Sequence, residues 1–386
     1  MKTRDLFFVD LEQFDRAIAL GMNAAVSYLL LARGTGRDHS TTAWGINSIE
    51  QRTGIGRRRA KIAVGALCSQ DLARPKRVGR YPGYALTLGE TGALACLPNT
   101  IVDGASDEIP PVERLRRIGS VEALRMLVRA YGHHDLADNG GLDWRLVRTT
   151  FQMTEVTTRG RYRILGFSSG EKTGKWEDPL RAPFAQTPEG NSKYWEAHTV
   201  LIEEGLLEEV PHLVEGDTDE SEIIMPLPLA GSRVGTEVER GIAAAIDEAL
   251  EVLFSDDAAR GFYFELQNFE HVAIVPDSFP QAALVGVFRL RYRPHNRVTA
   301  QWFAQQARAQ EIADGYQELA RRSSAREPLG LLPVDIRNVQ HQEIKNSRDQ
   351  EDLKKGSKNL TESRWDQKTK SQATAPRSPL AAGASR

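Results

Sequence analysis

The chain has 386 residues, 40% hydrophobic and 26% charged, which is enough apolar material for two or three soluble domains. Fifty basic side chains against 52 acidic ones leave a formal net charge of -2 and a pI near 6.5. This excludes a generic polycation, so any nucleic-acid affinity has to come from a local patch. Two cysteines, Cys68 and Cys96, are too few for a disulfide framework or a cysteine zinc cluster, and both are expected to be reduced, partly buried thiols. No run reaches transmembrane length, and Leu6–Val9 is too short for a secretory h-region. The expectation is a cytoplasmic chain with no membrane partner.

Met1–Gly21 carries Leu6, Phe7, Val9, Phe14, Ile18 and Leu20, a lead-in expected to pack on the first domain. Ala24–Arg33 (AAVSYLLLAR) predicts a buried helix. Gly34–Ser40 is a polar loop. Thr41–Ile46 (TTAWGI) predicts a short strand, with Trp44 in or near the core.

Asn47–Leu88 is the stretch around which the rest is arranged. Asn47 and Ser48 supply an N-cap for a short helix ending near Thr53 and including Arg52. Gly54-Ile55-Gly56 is a tight turn with Ile55 pointing inward. A second helix is predicted from Arg57 to about Ser69. Ala60, Val64 and Leu67, with Ala63 beside them, fall on one face; Arg58, Ile62 and Gly65 fall on the other, flanked by Arg59 and Lys61. Arg57–Arg59 stand at a helix N-terminus, where the macrodipole disfavours cations, so the triplet suggests an anionic partner. Leu72–Arg77 and Tyr84–Leu88 predict a hairpin around Val78-Gly79-Arg80-Tyr81-Pro82-Gly83. It carries Arg74, Lys76, Arg77 and Arg80 together with Tyr81 and Tyr84, a decoration suited to phosphate contact.

The order helix, strand, helix, turn, helix, hairpin between Met22 and Leu88 resembles the winged helix-turn-helix family. The resemblance implies binding of double-stranded DNA. Arg58 and Lys61 would then reach base edges, with Ile62 available for a thymine methyl; Arg57, Arg59, Lys76, Arg77 and Arg80 would hold phosphates. Ser48, Arg52, Arg74 and Tyr81 complete the expected DNA-binding set.

Thr91–Ile109 ends at Pro110-Pro111 and is expected to be a linker. Val112–Ile118 opens the next unit, and Ser120–Tyr131 is an amphipathic helix capped by Ser120. His133-His134-Asp135-Leu136-Ala137-Asp138 clusters metal-type residues without ligand spacing, so it is taken as a polar helix end and no metal is expected. Leu142–Phe151 reads as helical and Arg161–Phe167 as a strand. In the long loop Ser168–Asn191, Gly170–Lys175 lacks the phosphate-loop pattern because Trp176 follows Lys175; a basic loop touching a phosphate backbone stays open.

Ser192–Gly205 predicts a helix, followed by strands Leu206–Val214 and Glu220–Pro226. Helix plus hairpin repeats the arrangement of Arg57–Leu88, and the pair resembles tandem winged-helix plasmid and phage replication initiators. Here the charge is inverted: Glu196 to Glu222 holds ten carboxylates and no Lys or Arg. Protein contact is therefore expected at the acidic hairpin 206–226, while Arg145, Arg148, Arg159, Arg161 and Arg163 are left to face DNA.

Thr236–Phe254 and Val298–Arg322 predict long helices around strand candidates Phe262–Leu266, His271–Val275 and Leu284–Tyr292. The last alternates Phe288, Leu290 and Tyr292 against Arg289, Arg291 and Arg293, predicting one buried and one basic face. This unit is a candidate homodimerisation element. Gln342–Arg386 has the composition of a disordered basic tail.

The expected fold is α+β: tandem winged-helix domains, a small α+β domain and a disordered tail. The expected division is 1–109, 110–230, 231–335 and 336–386. The expected function is sequence-specific DNA binding as a transcriptional regulator or a replication initiator of a mobile element. The competing expectation is a scaffold that uses its winged helices for protein contacts. No nucleophile elbow, phosphate loop or zinc signature suggests an enzyme or a cofactor.

Overall fold

A computed structural model describes residues 6–78, 81–90, 92–105, 108–134, 141–159, 162–216, 218–225, 237–254, 260–292, 314–315 and 318. The described chain is mixed α+β, and Met1–Leu332 form one compact unit. The predicted helix 298–322 lies outside the described residues except at 314, 315 and 318, and the expected tail 342–386 lies wholly outside them.

Strand β1 (Leu6–Asp10) runs straight into helix α1 (Leu11–Ala19) because Asp10 caps it. Asp10 Oδ1 accepts the Gln13 N–H (3.0 Å), and Oδ2 accepts the Gly89 N–H (2.7 Å). Helix α2 (Met22–Arg33) has no polar face over Ala24–Ala32, and all nine of those residues are buried. A helix apolar all round belongs in the centre of a core, and α2 packs against α1, β1 and the helices that follow.

Strand β2 (Thr41–Thr42), helix α3 (Ile46–Thr53), helix α4 (Arg57–Ser69), and strands β3 (Ala73–Val78) and β4 (Tyr81–Leu86) come next. The three strands form an antiparallel sheet in the order β2-β4-β3, with Thr42 opposite Tyr84 and Pro75 opposite Tyr84 on the other side. Helix α3 starts at Ile46 with Gly45 as its uncapped N-cap, so Asn47 and Ser48 lie in its first turn and do not cap it.

The expected linker 91–109 is instead structured. Strand β5 (Leu94–Pro98) pairs antiparallel with β1, from Leu6 opposite Pro98 to Asp10 opposite Leu94, and a short helix α5 (Thr100–Asp103) follows. Ala95 and Leu97 point into the core. Two inward residues make too short a period-2 signal to stand out, and their strand partner lies at the other end of the domain.

Helix α6 (Pro111–Ile118) and helix α7 (Val121–His133) follow, α7 capped by Ser120, whose Oγ accepts the Ala123 N–H (3.2 Å). Beyond them lie β6 (Val147–Thr150), β7 (Gln152–Arg159), β8 (Tyr162–Ser168), β9 (Lys172–Gly174), helix α8 (Pro188–Glu203), β10 (Leu207–Val214), β11 (Ile223–Met225), helices α9 (Glu237–Leu253) and α10 (Arg260–Leu266), β12 (His271–Pro276) and β13 (Ala283–Leu290). They make a five-stranded sheet, β11-β10-β13-β6-β9, and a three-stranded sheet, β12-β8-β7.

Several expectations change here. Residues 142–151 are a turn and strand β6, not a helix; Val147 and Thr149 alternate inward. Residues 262–266 fall in helix α10, not in a strand. Helix α8 begins one turn earlier than expected because Thr187 caps it, accepting the Gly190 N–H (3.1 Å), and Pro188 fits the first helical turn. Strand β10 pairs along its whole length with β13, whereas β11 meets it only at Leu213–Met225 and Val214–Ile223. β12 and β13, drawn in the sequence with 231–335, thus complete sheets begun by β8 and β10.

Strand β13 sits mid-sheet, and the unbroken burial of Leu284–Leu290 shows that both of its faces are covered. Of its predicted basic face Arg289 is internal, 0% exposed and 3.8 Å from Glu208, its register neighbour on β10, whereas Arg291 lies just past the strand and is exposed, and Arg293 lies outside the described residues.

Candidate nucleic-acid interface

The turn between α3 and α4 is fixed from both sides. Gly54 adopts φ 65°, the left-handed region, and a Cβ there would come within 3.0 Å of Glu113 Oε1 and 3.1 Å of Arg116 Nη2. Ile55 is buried beneath the turn. From α6, Arg116 Nε donates to the Thr53 carbonyl oxygen (2.8 Å), which clamps the end of α3. Ala60, Ala63, Val64 and Leu67 bury one face of α4, and α4 packs on α2. Its orientation therefore rests on the core, which leaves the opposite face to solvent.

That face carries Arg58, Arg59, Lys61, Ile62 and Gly65, all exposed, with Ile62 at 65%. Arg58, Arg59 and Lys61 have no partner among the described residues. No acid occupies the first turn of α4. The helix terminus is instead answered by α3: Glu50 Oε1 accepts the Arg57 N–H (3.2 Å), and Asn47 Oδ1 accepts a bond from Arg57 Nη1. Arg57 is thus held in place while its three basic neighbours are not. Asn47 and Glu50 escape a reading by helical period because each acts across the turn on another helix.

The structure divides the other expected contacts. Arg52 donates to Asp103 Oδ1 (2.6 Å) and stacks on the Trp44 ring at 4.3 Å. Arg33 binds the same carboxylate through Nε (3.0 Å) and Nη2 (2.6 Å) and lies over the other part of the Trp44 environment at 5.4 Å. Arg52 therefore ties α3 to α5. Ser48 is half-buried in the first turn of α3.

On the hairpin, Arg74 forms a two-pronged pair with Asp71 (2.6 Å each), and this bond holds the Asp71 carboxyl below its ordinary range. Lys76 Nζ donates to Thr41 Oγ1 (3.2 Å). Arg77 is exposed and unpaired among the described residues. Tyr81 pairs by its backbone with Val78; Arg80 and the Tyr81 side chain lie outside the description. The Tyr84 hydroxyl is pushed up by burial, and its ring packs against the core.

The second half of the chain treats its charges differently. Arg163 donates twice to Glu155 (2.9 and 2.7 Å) and to the carbonyls of Phe279 and Pro280 (3.1 and 2.8 Å). Arg159 covers the Phe254 ring at 5.4 Å. Arg145 and Arg148 both engage Asp219. Arg161 is outside the described residues. Two acids of 206–226 are answered from within, Glu208 by Arg289 and Asp219 by Arg148 and Lys175, and Glu204 just before them faces Arg114 at 3.6 Å; Glu215, Glu220 and Glu222 are exposed.

The loop 168–191 is pinned by Arg181. Its Nη1 donates to the Gly174 carbonyl (2.6 Å), its Nη2 to Asn191 Oδ1, and its guanidinium stacks on Trp176 (4.1 Å) and Tyr194 (4.7 Å). The Tyr194 hydroxyl donates to Asp178, whose carboxyl is pushed up by burial. Next to them His198 is enclosed by Tyr194, Trp195 and Phe288, and burial lowers it to about 3. These contacts stitch α8 to the sheet.

Among the described residues no group of three His, Cys, Asp or Glu side chains is placed to hold a metal ion; 135–138 of the His/Asp run lie outside them. Among the described residues, no helix is long and apolar enough to cross a membrane. No protein-family model, curated protein or solved structure matches the chain.

Proposed function

We propose that the chain is a DNA-binding protein of the winged helix-turn-helix class, with residues 22–86 as the reading domain. The observation that carries this reading is the outward face of α4. Three cations without partners and an exposed isoleucine stand on a helix whose other face is locked into the core. The order β2-β4-β3, with the hairpin following α4, supports a wing. Within this class the proposed role is sequence-specific recognition of double-stranded DNA, by a transcriptional regulator or by a replication initiator of a mobile element.

Arg58 and Lys61 are the proposed readers of base edges, and Ile62 offers an apolar contact for a thymine methyl. Arg57, Arg59 and Arg77 are the proposed phosphate contacts, with Lys76 joining after exchange of its Thr41 bond. Arg80 and Tyr81 belong to the same proposed hairpin tip. Arg52 and Arg74 leave this set, because Arg52 is stacked on Trp44 while it ties α3 to Asp103, and Arg74 holds Asp71 by two bonds of 2.6 Å.

The tandem arrangement extends the proposal to α8, β10 and β11, which repeat the order of α4, β3 and β4. Order alone supports that extension, because the main partner of β10 is β13. In the scaffold reading the contact surface would be the exposed acids Glu215, Glu220 and Glu222, since Glu208 and Asp219 already face cations of the chain.

The test is selection of binding sites from a random duplex library, followed by titration of the best site against salt. A defined motif whose affinity falls steeply with salt is expected. Direct repeats within it favour initiation and a palindrome favours regulation. No enrichment and no salt dependence would overturn the proposal.

A further inference from the structure

The acidic stretch 206–226 and the loop 168–191 are features of the sequence that the proposed reading domain does not use. The fold brings them together. Arg145 lies in the turn before β6, Arg148 lies on β6, and Lys175 directly follows β9, the edge strand beside β6. All three converge on Asp219, in the connection between β10 and β11. Arg145 Nε donates to the Asp219 backbone carbonyl (2.9 Å), Arg148 Nη1 lies 3.5 Å from Oδ1, and Lys175 Nζ bonds Oδ2. The buried Trp144 ring faces the guanidinium groups of Arg145 and Arg148 at 5.1 and 5.4 Å. One further acid takes part: Asp143 Oδ1 lies 3.7 Å from Arg145 Nη1. Among the described residues the carboxylates of Asp219 and Asp143 answer these three cations, and Arg148 has a further interaction besides.

We propose that Arg145, Arg148 and Lys175 form a second anion site, for a backbone phosphate of DNA, and that the Asp219 carboxylate occupies it in the free protein. This rests on the reading of the chain as a duplex-DNA binder. A carboxylate and a phosphodiester each offer two anionic oxygens, here met by Arg148 on one side and Lys175 on the other, so one can replace the other without rebuilding the site. Trp144 holds two of the forks in place, which lowers the cost of ordering them. Asp219 and Lys175 are about half exposed, and ion pairs in such positions contribute little, so they exchange readily. The Arg145 bond goes to the Asp219 backbone, so the loop stays docked when the side chain turns away. Lys175 and then Arg148 hold the Asp219 carboxyl below its ordinary range, which keeps it anionic at neutral pH.

The experiment compares the full wild-type chain with Asp219→Asn on a duplex lacking the selected motif, over a range of salt concentrations. Each phosphate contact adds about 0.9 to the slope of log K against log salt. Asp219→Asn is expected to bind several-fold more tightly at low salt and to steepen the slope by about 1. Adding Lys175→Ala to it is expected to return the slope toward the wild-type value. Asp219→Ser serves if the asparagine variant does not fold, with the same expectation. Wild-type binding with an unchanged slope in the Asp219 variant overturns this site and leaves the reading domain standing. A wild-type chain that binds no duplex at all overturns both.

Discussion

The cations of α4 and those around β6–β8 look alike in the sequence and are used differently by the fold. Arg58, Arg59 and Lys61 project from α4 with no carboxylate partner among the described residues. Arg145, Arg148 and Arg163 each reach an acid or a carbonyl contributed by a distant segment. The difference teaches that a basic residue signals an anionic partner only after the protein's own anions have been assigned. By that criterion the negative net charge of the chain is compatible with a local electropositive face, because part of the acidity described in the second half is answered internally.

The sharpest way to break this contrast is to remove a cation from each class and measure stability and binding separately. Arg289 is the extreme of the paired class, fully buried and facing Glu208. Arg289→Ala leaves that carboxylate without its partner and opens a gap in the middle of a sheet. A loss of about 3 kcal/mol in urea denaturation is expected, since truncating a large, fully buried side chain leaves a cavity that costs on that order. A loss below about 0.5 kcal/mol, the range of ordinary surface changes, would show that β13 is not the central strand described.

A pH experiment tests the same core without touching a charge pair. His198 is neutral when folded, and burial lowers it to about 3 from an ordinary value of 6.5. The unfolded chain binds the proton first, so stability falls as pH drops from about 6.5 toward 3. One such group steepens the loss of stability through that window, by roughly 3 kcal/mol in all at pH 4.5. His198→Phe is expected to remove that part of the slope and to leave the acid limb set by the carboxylates. Parallel stability curves for the two proteins from pH 6.5 to 4.5 would show that His198 is hydrated or partnered when folded.

The unpaired class gives effects on binding instead. Arg58→Ala is expected to weaken the selected site by roughly 1–3 kcal/mol and to relax preference at one base pair, with no matching loss of stability. Titration of site variants by fluorescence anisotropy checks this, and unchanged affinity for the preferred site would mean that the face of α4 is misassigned.

The contrast also marks what was legible in the sequence. The faces of α4 were, because Ala60, Val64 and Leu67 repeat at the helical period and the period alone says which side is buried. The hairpin was in outline, but its turn was placed too widely: Val78, Tyr81, Pro82 and Gly83 belong to the paired strands, which leaves only 79–80 between them. Partners remote in sequence were not. Arg52 and Asp103 are 51 residues apart, and Arg145 and Asp219 are 74 apart. Nothing local distinguishes Arg52, which is tied, from Arg58, which is not. The same limit hid β5, whose partner β1 lies at the other end of the domain, and made Arg289 on β13 look solvent-facing like Arg291, which is exposed. Periodicity reports burial, whereas pairing depends on where the remainder of the chain arrives.

The smallest expected effect is the most discriminating for the hairpin. Arg77 is its exposed, unpaired cation among the described residues, whereas Arg163 is fully engaged on β8. If the hairpin is a wing that tracks the backbone, Arg77→Ala removes one phosphate contact. The slope of log K against log salt should then fall by about 0.9, with all sequences weakened alike and the selected motif unchanged. Arg163→Ala should leave the slope where it is, because its guanidinium is already neutralised by Glu155. Equal slopes for both variants would detach the hairpin from the DNA and leave α4 as the whole interface. A reduced slope for Arg163→Ala would mean that even a guanidinium held by two bonds to its own carboxylate is released on binding, as the exposed pairs at Asp219 are proposed to be, and the division between the two classes would have to be redrawn.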